Sequence, residues 1–116
     1  MPIPQHVKEL VLLRRQEERR LRQAKFQEAI QALIDGDVGT AKAMLRDNIN
    51  AGVGFPRLAA ATKIQPKSLM RMFEPNGDPT AAKLFRVIAA LQDRTGIYLE
   101  VRAVDKHPIV GIVIND

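Results

Sequence analysis

In the stretch FPRLAAATKIQPKSLMRMF, Phe55 to Phe73, two prolines divide the chain into two segments, each of one or two helical turns. Pro56 and Pro66 each suit the first turn of a helix, where a missing N–H costs nothing. Helices this short are not stable by themselves. They persist only if Leu58, Ala59, Ile64, Leu69, Met72 and Phe73 are buried against the rest of the chain. The stretch therefore predicts a helix pair joined by a tight turn at Lys63-Ile64, supported by a larger helical body.

The body is legible on both sides. A helix is expected over His6 to Ile34, in two unlike halves. Val7, Leu10 and Val11 give its first half a short apolar stripe. RRQEERRLRQAK, Arg14 to Lys25, follows with six basic residues against two acids. Phe26, Ala29, Ile30, Leu33 and Ile34 then recur at the spacing of one helix face. Gly36 is placed to stop this helix and Asp37 to cap the next. That next helix, about Val38 to Ala51, carries Val38, Ala41, Leu45 and Ile49 on one side.

Beyond the helix pair, EPNGDPT, Glu74 to Thr80, is a loop, with Asp78 or Thr80 as the cap of a longer helix ending before Gly96. Its inner positions are Leu84, Val87, Ile88 and Leu91. The period then changes to two. Ile97, Leu99, Val101 and Ala103 alternate with Tyr98, Glu100 and Arg102, which predicts a strand, with Ile109 to Ile114 as a second. The expected organisation is a helical extension over 1–35, a helical domain over 36–96 and a β-ribbon over 97–116.

Charge then narrows the partners. All four charged residues between Phe55 and Phe73 are basic: Arg57, Lys63, Lys67 and Arg71. The whole chain carries a formal charge of +5, which favours a polyanion. With Leu69 and Met72 facing inward, the second helix of the pair presents Gln65, Lys67, Ser68, Met70 and Arg71 outward. This is the disposition of a DNA-reading helix, with small Ala59 where the two helices cross. Arg71 suits a bidentate pair with guanine, and Gln65 an adenine edge or a phosphate. Arg57, Lys63 and Lys67 suit phosphates, as does the Ser68 hydroxyl. The competing reading is a solvated basic face on an ordinary bundle.

Other chemistries find little support in the sequence. There is no cysteine, which removes disulfides and thiol chemistry. His6 and His107 lack companion ligands, so no metal or cofactor is expected, and no enzyme. No apolar run has the length of a membrane span, which makes a cytoplasmic protein the expectation.

The run from about Phe26 to Val104 resembles the addiction-module antidote (antitoxin) family, whose members carry an Xre-type, lambda repressor-like helix–turn–helix. GDVGTAKAMLRDNINA is similar to the helix with which the family's DNA-binding domain begins, KSLMRMFEPNGDPTAAKLF to its recognition helix and following loop, and LEVRA to its closing segment. The resemblance implies a regulator that represses its own operon and neutralises a RelE/HigB-like toxin, a ribonuclease of translated messages. Lys63 departs from the pattern, standing where a glycine is usual.

Two further expectations concern partners. The segment Tyr98, Leu99, Glu100, Val101 and Arg102 is expected to pair with a second copy, because an isolated hairpin is marginal and a palindromic operator requires a two-fold axis. The basic helix is open to two readings: a solvated arm, or a contact surface for toxin or DNA through Arg14, Arg15, Arg19, Arg20 and Arg22. A basic arm is a poor electrostatic match to an RNA-binding toxin. Two alternatives stand beside the antitoxin reading: a stand-alone Xre-type regulator, and a toxin-masking module with little DNA binding.

Overall fold

Among the described residues, three glycines with positive φ, Gly36, Gly54 and Gly96, and two side-chain caps, Asp37 and Thr80, set the path of the chain. The computed structural model describes residues 2–107, and these form five helices. They are α1 (Gln5–Ile34), α2 (Val38–Ala51), α3 (Phe55–Thr62), α4 (Pro66–Met72) and α5 (Ala81–Thr95). At the end of α1, Gly36 takes a φ of +86°, a left-handed conformation that a side chain disfavours. It lets the Asp37 N–H donate to the Ala32 carbonyl at 2.9 Å and the Gly36 N–H to Leu33 at 3.1 Å, closing the last turn of the helix. Asp37 then caps α2, its carboxylate accepting from the Thr40 N–H at 3.3 Å. As a result α2 packs back along α1.

The core sits where α3 meets α2, α4 and α5. Leu45, Ile49, Leu58, Leu69, Phe73 and Val87 are its largest fully buried side chains. The Phe55 and Phe73 rings lie 6.2 Å apart and tilted by 57°, within the range of favourable aromatic pairs. Every inner position expected for α3, α4 and α5 is buried. At the seam between α1 and α2 the expected stripes overreach. Ile34 and Val38 flank the reversal at Gly36, where the chain leaves the core surface, and both are exposed.

Only the C-terminal part of α1 belongs to the core, through Phe26 and Ala29 with Ile30 and Leu33 beside them. The rest of a helix roughly 45 Å long carries Leu10, Val11, Leu12, Leu13 and Leu21 exposed. Among the described residues, one side-chain hydrogen bond ties this region to the chain just past residue 95: the Arg19 guanidinium donates to the Gly96 carbonyl at 3.4 Å.

Thr80, rather than Asp78, caps α5, accepting from the Lys83 N–H at 3.2 Å. No strand forms among the described residues, and the expected β-strand from Ile97 to Val104 is an irregular segment. The reason is local. The Ile97 N–H donates to the Thr95 hydroxyl at 3.2 Å and the Leu99 N–H to Oε1 of Gln92 at 2.8 Å. These bonds turn Ile97 into the core and leave Leu99 half-buried against it. The next members of the alternating face, Val101 and Ala103, are exposed. The expected second strand, Ile109 to Ile114, lies outside the described residues.

Candidate nucleic-acid interface

The expected reading surface is built by the way α3 hands over to α4. Thr62 is buried and its hydroxyl donates to the Leu58 carbonyl at 2.8 Å, closing α3 on itself. Lys63 then takes φ 59° and ψ 29°, the one non-glycine residue with positive φ among those described. This conformation reverses the chain at a cost. Ile64 drops into the core and pins the turn. Gln65 is extended, as a residue before proline must be, and Pro66 starts α4.

Along α4 the sides separate cleanly. Leu69 and Met72 are buried; Lys67, Ser68, Met70 and Arg71 are exposed. Arg57 on the first turn of α3, Lys63 in the turn and Gln65 before α4 are exposed as well. All seven residues expected to meet DNA are thus available to a partner, with no acidic side chain in the stretch that carries them.

The support behind α4 includes a residue that the sequence reading missed. Lys42 of α2 is only 4% exposed, and its ammonium donates to the carbonyls of Glu74 at 3.0 Å, Pro75 at 3.2 Å and Gly77. A buried ammonium is tolerated only where such acceptors replace its water. Here the acceptors are the loop that leaves α4, so α2 grips that loop directly. Gly77 packs directly on the end of α4: a Cβ on it would clash with the carbonyl oxygens of Arg71 and Met72. The signal for Lys42 was its place on the stripe of Ala41, Leu45 and Ile49.

Beside the clamp is an open concavity of about 350 Å³, bordered by Ser68, Arg71, Asn76, Asp78, Thr80 and Lys83. It continues the outward side of α4 towards the start of α5. Of the residues expected to join two copies, Tyr98, Glu100, Val101 and Arg102 are exposed, whereas Leu99 is partly spent on its own core. Among the described residues no group of three or more His, Cys, Asp or Glu side chains is arranged to hold a metal ion. No helix among them is long and apolar enough to cross a membrane. Comparison with known proteins gives no match to a family model, a curated protein or a solved structure.

Proposed function

We propose that the chain is a sequence-specific DNA-binding regulator in which α3 and α4 act as a lambda repressor-like helix–turn–helix. The observation that carries this reading is α4 itself. Its apolar side is buried, its other side presents Lys67, Ser68, Met70 and Arg71, and every charge from Phe55 to Phe73 is basic. α4 enters the major groove, Arg71 and Gln65 meet base edges, and Arg57, Lys63 and Lys67 neutralise phosphates. The irregular segment after α5 joins two copies through Tyr98 to Arg102, giving the two-fold symmetry of a palindromic operator. Exposed Tyr98 and Val101 support that role.

The antitoxin role rests on the resemblance of Phe26 to Val104 to the antidote family. In that role the regulator represses its own operon and masks a RelE/HigB-like toxin. The DNA reading is tested by selecting sites from a pool of random duplexes with the full-length protein. A palindromic site bound far more tightly than random duplex, with affinity falling steeply as salt rises, is the expected result. Equal binding of selected and random duplexes would defeat it. Co-expression with the product of the adjacent reading frame tests the toxin separately: rescue of growth and co-purification are expected.

A further inference from the structure

The outer part of α1 carries an apolar seam that the proposed function does not use. Val7, Leu10, Arg14, Glu17, Leu21 and Ala24 follow one another at alternating spacings of three and four, the spacing that keeps a helix face against a partner helix. All lie within one uninterrupted helix. Leu10 is 63% exposed and Leu21 55%, and Arg14, Glu17 and Ala24 are exposed too. Phe26 and Ala29, which bind α1 to the core, sit roughly a third of a turn away around the helix. Leu21 also borders the groove lined by Phe26, Val53, Leu91 and Ile97, so a partner on the seam abuts the body at that end, while Phe26 and Ala29 are already buried in it.

We infer that this seam is the docking surface for the same seam of a second copy, paired antiparallel about a two-fold axis between Arg14 and Glu17. The order of side chains supplies the argument. Read from Val7 to Ala24 the seam runs apolar, apolar, basic, acidic, apolar, apolar. Reversed against itself, it sets Val7 on Ala24, Leu10 on Leu21 and Arg14 on Glu17, and each pair occurs twice. A parallel pair would instead stack Arg14 on Arg14 and Glu17 on Glu17, an arrangement that like charges oppose. The seam spans roughly 26 Å, and two copies bury on the order of 1,000 Å², near the lower bound of about 1,200 Å² for standard interfaces. It is therefore a reversible contact, and its charge pair sets register and direction. It is separate from the segment after α5, so a chain using both contacts would bridge two dimers.

The chain has no cysteine, so introduced thiols report the pairing directly. Full-length Leu10→Cys and Leu21→Cys proteins are oxidised separately and as a mixture. The antiparallel register brings position 10 of one copy to position 21 of the other, but keeps the two copies of position 10 roughly 16 Å apart, too far for a disulfide. The mixture should give a disulfide-linked pair at ten or more times the yield of either variant alone. Adding Arg14→Glu to both proteins should lower that yield at least five-fold, and adding Glu17→Arg as well should restore it. Absence of the mixed product, equal self-linking of Leu10→Cys, or insensitivity to the charge changes would each overturn the proposal. DNA binding plays no part in the readout.

Discussion

The ammonium of Lys42 donates a 3.0 Å hydrogen bond to the main-chain carbonyl of Glu74, joining the buried side of α2 to the first loop residue beyond α4. Two more carbonyls, of Pro75 and Gly77, share the same ammonium. Lys42→Met keeps the length and apolar stem of the side chain but removes the donor. The Pro75 and Gly77 carbonyls then lose their donor, while that of Glu74 keeps only the Gly77 N–H at 2.8 Å, and the expected loss of stability is about 2–4 kcal/mol. Urea denaturation measures that loss. Hydrogen exchange should show faster exchange between Arg71 and Gly77 before the rest of the core opens. Uniform loss of protection across α5 and α2 would mean that Lys42 supports the core in general rather than the loop.

Gly77 and Gly39 make a paired test of what glycine does here. Backbone stands within 3 Å of the position a Cβ would take at Gly77, whereas nothing lies within 4 Å of that position at Gly39, inside α2. Gly77→Ala must displace either the loop or the end of α4 and is expected to cost more than about 2 kcal/mol, the scale of overpacking in a close-packed region. Gly39→Ala should instead stabilise by about 0.5–1 kcal/mol, because alanine loses less freedom in a helix. Urea midpoints moving in opposite directions check both at once.

How much of this was readable beforehand depends on how local each cause is. Gly36, Asp37, Pro56, Pro66, Thr80 and Gly96 act within a few residues of themselves, so the helix limits could be placed from sequence. The inner side of α4 follows from the spacing of Leu69, Met72 and Phe73 alone. Lys42 escaped because a charged side chain is counted as outward-facing. Its acceptors are main-chain carbonyls more than thirty residues away, which no side-chain pattern records. The segment after Gly96 misled for another reason. Alternation at Ile97, Leu99 and Val101 reads alike for a paired strand and for a tail that turns two residues into its own core. The side-chain acceptors on Thr95 and Gln92 decide between them.

Lys63 holds a left-handed conformation without the help of being glycine. Lys63→Gly removes the clash of Cβ with the backbone but gives the unfolded chain more freedom. The net expectation is a gain of about 0.5–1 kcal/mol. The same change deletes one of the charges proposed to face phosphate, so the slope of log affinity against log salt on DNA should fall by about 0.9. Stability and DNA affinity therefore move in opposite directions. A fall in the urea midpoint would show that the lysine side chain contributes more to the turn than its backbone strain costs.

Arg71 and Lys67 are both exposed on α4, yet the two side chains should fail differently. A guanidinium presents a flat pair of donors that matches the guanine edge, whereas an ammonium acts as a point charge. Arg71→Ala is expected to cost about 1–3 kcal/mol on a selected palindrome and to flatten the base preference at its own position. Lys67→Ala should weaken selected and random duplexes alike and lower the salt slope by about 0.9, with base preference unchanged. Titrations of both variants on both duplexes at two salt concentrations separate the roles. If Arg71→Ala weakened random duplex as much as the selected site, Arg71 would be a phosphate contact, and base reading would fall to Gln65.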